Sequence, residues 1–284
     1  MGISFLPRSR RAQRREADRR LPEGYGRPDI LRQEPRFLPK GRGTLRICVP
    51  ITAKSTESAV RKMNAPIRAQ GVEVILELRI DYIRDPDLEK MLSERRGKVI
   101  VTNRRREEGG LFSGTEKERV KSLFRAVALG ADYVDIEAST DRDLISELKK
   151  ETASTGRGTK LIISSHDFKS TPPEDLLKRR LDLCGEWAPD VVKIATMANS
   201  MDDNLTILSL IPHARRLGIE IIAFCMGSIG RISRVMSPLM GAYLSFAAAD
   251  REEATAPGQM EVSDTLEIFR LLGAINPVAA LQGY

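Results

Sequence analysis

From residue 45 onward, short runs of β-branched and other apolar residues alternate with longer runs in which apolar residues recur at helical spacing. The short runs predict eight strands, at Arg46–Ile51, Glu73–Ile80, Lys98–Asn103, Tyr133–Glu137, Lys160–Ser165, Val191–Ala195, Glu220–Cys225 and Ala242–Ala247. The longer runs predict helices at Ser55–Gln70, Asp85–Arg95, Thr115–Gly130, Thr140–Thr152, Pro173–Trp187, Asn199–Leu217, Ile229–Met240 and Ser263–Leu272. Eight strands alternating with eight helices over about 240 residues is the count of a (β/α)8 barrel, or TIM barrel.

A doubly wound open sheet is the competing architecture. In dinucleotide-binding folds of that kind a glycine-rich turn follows the first strand, whereas here Thr52-Ala-Lys-Ser-Thr56 follows it. The missing turn favours the barrel. Because no linker or internal repeat interrupts the later chain, we expect residues 44–284 to form one catalytic domain.

Residues 1–43 differ in composition from the rest of the chain. Residues 1–40 hold eleven Arg or Lys and five Asp or Glu, so +6 of the net charge of +7 lies there. This segment is poor in apolar residues and rich in Pro and Gly, which predicts a basic extension with little order. Such a tail suits nucleic acid or an acidic partner, but its few aromatic residues favour a dispensable extension.

The overall composition limits the class of protein. The chain is 41% hydrophobic and 30% charged, with no apolar run near the roughly 18 residues of a membrane span. No apolar signal segment is visible near Met1. Cys48, Cys184 and Cys225 are widely spaced in apolar contexts, as in a reduced protein. We therefore expect a cytoplasmic globular protein without membrane contact.

One lysine stands out in a predicted strand that is otherwise apolar. Lys193 lies within Asp190-Val-Val-Lys-Ile-Ala-Thr196. Burial disfavours a charged ammonium, so an apolar environment should lower the pKa of Lys193 toward neutrality. A neutral amine is a nucleophile that forms a Schiff base with a carbonyl. The alternative is a lysine that extends its charged end out to solvent.

Polar and charged residues follow or end the other predicted strands, where barrel enzymes carry their chemistry. The set is rich in arginine and comprises Glu77, Arg79, Arg104, Glu108, Asp135, Glu137, His166, Met226, Arg234, Thr255 and Gln259. Arginines suit a carboxylate, and carboxylates and amides suit hydroxyl groups. The pattern indicates a small, anionic, polyhydroxylated substrate.

His166 ends the strand before the one that holds Lys193, so its imidazole is expected near the lysine amine. There it can shuttle protons while an imine forms and hydrolyses. Glu108 is a candidate to hold the ring in one tautomer. A purely structural histidine is the alternative. The second histidine, His213, is expected to face solvent within a helix.

No metal or phosphate motif is convincing. His166-Asp167 has no second histidine at ligand spacing, and the cysteines are unpaired in sequence. Gly109-Gly110 and Gly227-Ser-Ile-Gly230 do not match a phosphate-binding loop. The residues therefore predict a reaction without a metal.

Taken together, these residues resemble the type I 3-dehydroquinate dehydratase family. The matching segments run in the family's order over about 180 residues and each lies at a predicted strand end. They are Glu77-Leu-Arg-Ile-Asp81, Thr102-Asn-Arg104 with Glu108-Gly-Gly110, Ser164-Ser-His-Asp-Phe168, Val192-Lys-Ile-Ala195, Met226-Gly-Ser-Ile-Gly-Arg-Ile-Ser-Arg234 and Ala256-Pro-Gly-Gln259. The extension at 1–43 has no counterpart in this resemblance.

The resemblance implies a (β/α)8 barrel that dehydrates 3-dehydroquinate to 3-dehydroshikimate without a metal or organic cofactor, and that is a homodimer. It implies that Lys193 is the Schiff-base lysine, His166 the general acid and base, and Glu108 its partner. It further implies that Arg234 and Gln259 contact the substrate carboxylate. Glu77, Arg79 and Arg104 are implied to contact and orient the substrate hydroxyl groups, and Met226 to pack against the ring. Thr255 stands where the family often has serine and keeps the hydroxyl.

Two other functions stay open from the sequence. A class I aldolase uses a lysine on the same strand of the same fold, but commonly has a phosphate site near strands seven and eight. Here that region offers Arg234 and Gln259, which suit a carboxylate better. The non-enzymatic alternative is a nucleic-acid-associated protein that acts through residues 1–40.

Overall fold

The computed structural model describes residues 44–67, 69–250, 252 and 255–275. Eight strands lie within this part of the chain and form one parallel sheet. They are β1 (Leu45–Ile51), β2 (Val72–Arg79), β3 (Lys98–Thr102), β4 (Tyr133–Glu137), β5 (Lys160–Asp167), β6 (Val191–Met197), β7 (Ile221–Met226) and β8 (Ser245–Phe246). The predicted extension at 1–43 lies outside the described residues, so its boundary stays a prediction.

Helices connect the strands and cover the outside of the sheet. They are α1 (Thr56–Met63), α2 (Leu88–Ser93), α3 (Glu116–Ala128), α4 (Arg142–Ser154), α5 (Glu174–Gly185), α6 (Asp202–Leu208), α7 (Leu210–Arg216), α8 (Arg231–Leu239) and α9 (Val262–Leu271). Side chains cap two of the helices, since Ser55 accepts from Ser58 N–H and Thr115 forms a capping box with Glu118. None of these helices is long and apolar enough to cross a membrane.

The strand order is β7-β6-β5-β4-β3-β2-β1-β8, with each strand parallel to its neighbours. The last gap, between β7 and β8, is narrowed by a hydrogen bond from Tyr243 N–H to the Ile221 carbonyl oxygen at 2.7 Å. The sheet is therefore a nearly closed barrel, and the predicted fold class is confirmed.

Three predicted elements differ from the structure, and prolines account for the two helices among them. The helix predicted at 55–70 ends at Met63, shortly before Pro66. The helix predicted at 199–217 is divided into α6 and α7, because Pro212 has no N–H to donate to the carbonyl of Leu208. The eighth strand pairs with β1 only at Ser245 and Phe246.

The apolar residues form two layers. One fills the space between the strands and the surrounding helices, and includes Leu123, Leu148, Leu181 and Phe269. The other fills the inside of the barrel and includes Ile100. Alternate residues of each strand contribute to each layer, as the twofold alternation of strands requires.

Two tyrosines occupy the barrel interior at the amino-terminal ends of the strands. Tyr133 begins β4, and its hydroxyl lies 2.6 Å from the hydroxyl of Tyr243. Both residues are buried, and burial raises the pKa of Tyr133 above its usual value. The guanidinium of Arg46 lies 4.6 Å from the centre of the Tyr243 ring. This end of the barrel is therefore filled by side chains.

A buried ion pair joins the barrel to its helical layer. Arg119 of α3 is 1% exposed and lies 2.6 Å from the fully buried Glu137 of β4. It also donates to the Asn103 carbonyl oxygen and to the Thr140 hydroxyl, each at 2.8 Å. Burial favours the neutral form of Glu137 and raises its pKa. Arg119 therefore compensates a carboxylate that water cannot reach.

We expect Arg119→Met to lower the free energy of unfolding by about 3 kcal/mol, because it breaks a buried ion pair. This value is at the lower end of the usual effect, because Arg104 still contacts Glu137. Arg125→Met is the matched control on the same helix, since Arg125 pairs with Glu89 in solvent and should cost less than about 1 kcal/mol. Urea denaturation measures both. Equal losses in the two variants would contradict the assignment.

Candidate active site

All ten residues predicted for the site line one cleft at the carboxyl ends of the strands. They are Glu77, Arg79, Arg104, Glu108, His166, Lys193, Met226, Arg234, Thr255 and Gln259. The strands themselves bring them together, because parallel strands end at the same edge of the barrel. Their individual roles stay predictions.

Lys193 is 4% exposed and points into the barrel from the middle of β6. Its Nζ lies 3.2 Å from Asp135 Oδ2 and 3.4 Å from Glu77 Oε1. It also lies 4.4 Å from the centre of the Phe246 ring. The lysine is buried as predicted, but the prediction of apolar surroundings is wrong, because two carboxylates from β2 and β4 compensate a positive charge at this nitrogen.

Asp135 links Lys193 to the other buried charges. Besides Lys193, it accepts hydrogen bonds from Arg104 at 2.8 Å and from the Ser164 hydroxyl at 2.6 Å. Burial alone would raise the pKa of Asp135, but Arg104 and Lys193 outweigh it and hold the pKa well below the usual range. Arg104 also contacts Glu137 at 2.9 Å. Burial alone would lower the pKa of Arg104, but the carboxylates of Asp135 and Glu137 outweigh it and leave the pKa raised. Asp135 is therefore a fixed anion.

His166 and Glu108 form a second unit at the rim of the cleft. Glu108 Oε2 lies 2.9 Å from His166 Nδ1 and accepts the backbone N–H of His166 at 3.0 Å. A carboxylate on Nδ1 fixes the tautomer in which Nδ1 carries the proton. Nε2 is then left as the basic nitrogen. The predicted pairing of these two residues is therefore present in the structure.

The turn that carries Glu108 permits little variation. Glu108 ends a 3₁₀ turn at Arg106–Glu108, and Gly109 follows with φ of 79°. A Cβ at Gly110 would lie 1.9 Å from the Arg104 carbonyl oxygen, so only glycine fits there. The close approach of this loop to β3 holds the carboxylate over β5.

His166 is expected to be neutral near pH 7. Burial lowers the pKa of His166 well below its usual value of about 6.5, and the positive charges of Arg104 and Lys193 lower it further. A neutral imidazole held by a carboxylate can accept a proton, as a general base must.

The second histidine does not face solvent freely as predicted, because His213 Nε2 contacts Asp182 at 2.8 Å and its side chain is 18% exposed.

Arg234 and Gln259 present unpaired donors to the cleft. Arg234 is 1% exposed, and its guanidinium lies 4.3 Å from the centre of the Phe224 ring. Its one hydrogen bond within the described residues is from Nη2 to the Pro257 carbonyl oxygen at 3.4 Å, and Nε and Nη1 have no partner there. Burial lowers the pKa of Arg234 to about 10. Gln259 Nε2 is likewise buried without a partner in that part of the chain.

The remaining predicted contacts are held by neighbours. Arg79 forms a bidentate ion pair with the Asp81 carboxylate, at 2.7 and 2.8 Å. Asp81 also accepts a hydrogen bond from the Leu111 N–H. Thr102 donates to Glu77 at 3.0 Å. Thr255 donates its backbone N–H to Gln259 Oε1 at 2.9 Å, which leaves the Gln259 amide nitrogen for a ligand.

Sequence reasoning assigned no role to three residues that organise the site. Asp135 and Ser164 hold Lys193 and Arg104 in place, and Asp81 fixes Arg79. For Asp135 a signal was present, because a strand with Asp135 and Glu137 two residues apart places two carboxylates on one buried face. For Ser164 the signal was the same alternation, because Ser164 and His166 lie two residues apart on β5 and so share one face. No group of three candidate metal ligands occurs among the described residues.

The fold places this chain among the (β/α)8-barrel enzymes, and a buried lysine beside a carboxylate-held histidine is typical of those that form a Schiff base with a carbonyl substrate. The family model for type I 3-dehydroquinase matches residues 47–276. The chain belongs to that family.

Individual relatives agree with this membership. The chain is 36% identical to 3-dehydroquinate dehydratase of Desulfotalea psychrophila over 79% of this chain and 96% of the relative. It is 37% identical to the enzyme of the same name from Thermococcus gammatolerans, over 78% and 96%. The crystal structure of type I 3-dehydroquinate dehydratase from Clostridium difficile with covalently modified comenic acid matches with a TM-score of 0.71 and 27% identity, over 83% of this chain and 95% of that one.

The lowered pKa of His166 predicts that its imidazole stays neutral when the pH falls to 6.5, where an ordinary histidine is half protonated. Nitrogen-15 NMR of the free protein measures this directly, because the chain has two histidines and His213→Gln identifies the signals of His166. The Nδ1 signal should also be that of a protonated ring nitrogen. Half-protonation of His166 at or above pH 6.5 would contradict this assignment.

Proposed function

We propose that this chain dehydrates 3-dehydroquinate to 3-dehydroshikimate in the shikimate pathway, through an imine between the substrate ketone and Lys193. The observation that carries this proposal is the pair of unpartnered buried donors, on Arg234 and Gln259, in the same cleft as Lys193. A buried guanidinium without a carboxylate is costly unless a ligand supplies the anion. A substrate that carries both a carboxylate and a ketone satisfies both ends of the cleft.

The first step is formation of the imine. Lys193 gives up a proton and its nitrogen adds to the C3 carbonyl to give a carbinolamine. The proton returns to the carbinolamine hydroxyl, which leaves as water, and a protonated imine remains. Glu77 and Asp135 are the acceptors hydrogen-bonded to the amine, and they compensate a cation at this nitrogen both before and after the carbonyl reacts. The imine nitrogen therefore stays positive and withdraws electrons from the neighbouring carbon.

The second step is elimination of water. His166 takes a proton from C2, and the electron pair of that bond moves toward the positively charged nitrogen to give an enamine. The enamine then expels the C1 hydroxyl, which leaves as water with the proton that His166 returns. Glu108 on Nδ1 stabilises the imidazolium between these two transfers. Attack of water on the imine carbon releases the product and restores the Lys193 amine.

The other contacts position the ring. Arg104 and Glu77 are candidates for the hydroxyl groups, together with Arg79, and Met226 is a candidate for packing against the ring face. Thr255 and Gln259 would close on the carboxylate beside Arg234. We further infer from the family resemblance that the protein is cytoplasmic and a homodimer. Sedimentation of the purified protein tests the dimer.

Borohydride reduction in the presence of 3-dehydroquinate should trap a covalent adduct on Lys193, because reduction converts the imine to a stable amine. Lys193→Ala should abolish trapping and turnover, whereas His166→Ala should still be trapped but lose about 10² to 10⁴-fold in kcat. Lys150→Ala, an exposed lysine of α4, is the control that should behave as wild type. Mass spectrometry of the digested protein locates the adduct.

Adduct formation on a lysine other than Lys193, or near-normal turnover of His166→Ala, would contradict the mechanism. Absence of any turnover of 3-dehydroquinate by the wild-type chain would contradict the proposed function itself.

Arg234→Met should weaken recognition of the carboxylate with little effect on folding, because Met replaces a buried charge that lacks a protein partner. We expect kcat/KM to fall by about 10²-fold, the loss of one charge-assisted contact. Arg231→Met, an exposed arginine at the start of the same helix, is the matched control. Equal kcat/KM values for Arg234→Met and wild type would remove Arg234 from the substrate site.

A further inference from the structure

Glu108 has a second oxygen whose contact the mechanism does not use. Oε2 faces His166, while Oε1 accepts a hydrogen bond from the Ser139 hydroxyl at 2.6 Å. Ser139 follows β4 in the turn where the Thr140 N–H returns to the Glu137 carbonyl oxygen. One oxygen of the Glu108 carboxylate is thus held by a residue of β5, and the other by a residue of the turn after β4.

Arg105 determines the direction of the Ser139 hydroxyl. Arg105 Nη1 lies 3.0 Å from Ser139 Oγ and 3.2 Å from the Ser139 carbonyl oxygen. A guanidinium has donors only, so Ser139 Oγ must accept this bond. The hydroxyl proton is then free for Glu108 Oε1. Arg105 Nε contacts Glu107 at 3.1 Å, which holds the guanidinium in this orientation.

The arrangement brings a positive charge to Glu108 without a direct ion pair. Within the described residues, the one side chain that forms an ion pair with Glu108 is His166. An arginine bound directly to the carboxylate would compete with His166 for the negative charge, whereas a hydroxyl between them polarises the carboxylate and leaves Oε2 to the ring. Terminal torsions of Glu side chains are otherwise broad and weakly fixed.

We propose that Ser139, with its hydroxyl oriented by Arg105, is a positioning residue that holds Glu108 Oε2 on His166 Nδ1. The proposal rests on the proposed function, because it assumes that His166 transfers protons during turnover. Ser139 touches neither the substrate cleft nor the reacting atoms, and acts through Glu108.

Ser139→Ala should lower kcat about 3- to 10-fold and leave KM unchanged, since one charge-assisted hydrogen bond is lost. The effect is modest because Ser139 is exposed, so water can replace part of the contact. Ser139→Thr keeps the hydroxyl and should restore kcat. Ser154→Ala, an exposed serine of α4 whose hydroxyl bonds within its own helix, is the matched control.

Nitrogen-15 NMR of His166 in the free protein separates this proposal from the catalytic one. In Ser139→Ala the Nδ1 and Nε2 signals should move toward each other, because a less firmly held carboxylate lets the second tautomer appear, and in Ser139→Thr they should return. This measurement needs no substrate, so it stays decisive even if the wild-type chain fails to dehydrate 3-dehydroquinate. Unchanged His166 signals in Ser139→Ala, or a loss of kcat that threonine does not restore, would overturn the proposal.

Discussion

The site depends on the balance of charge around Asp135. This carboxylate lies between two buried cations, Lys193 and Arg104, and accepts the Ser164 hydroxyl as well. Charges removed from water are costly unless they are paired and hydrogen-bonded, so β4, β5 and β6, which carry Asp135, Ser164 and Lys193, must keep their register. In the proposed mechanism the same carboxylate compensates the positive imine nitrogen of Lys193.

The positive charges at the centre of the barrel also set the state of the histidine at its rim. Arg104 and Lys193 add to the effect of burial and favour the neutral form of His166. Glu108 acts in the opposite sense through a direct contact with Nδ1. The mechanism proposed above uses both effects, because it needs a neutral His166 before proton transfer and a stabilised imidazolium after it. In that mechanism the charge on Lys193 therefore affects the histidine that transfers the proton.

The fold was predictable because alternation and helical spacing depend on neighbouring residues in the chain. The strand count, the barrel and the gathering of His166 near Lys193 follow from that local pattern. The identity of the charged neighbours of Lys193 depends on register across strands, which spacing along one strand does not determine. Hence the lysine was expected among apolar residues and lies against carboxylates. The Ser139 contact with Glu108 likewise joins two loops, and no periodic pattern marks it.

The tyrosine pair at the amino-terminal end of the barrel has a consequence for traffic through the protein. Within the described residues, Tyr133 and Tyr243 fill the interior there, so the cleft opens at the opposite end. The substrate and the product of the proposed reaction therefore share that entrance. The water released when the imine forms and the water that later hydrolyses it use the same entrance. Product that remains in the cleft would therefore compete with incoming substrate for the same space.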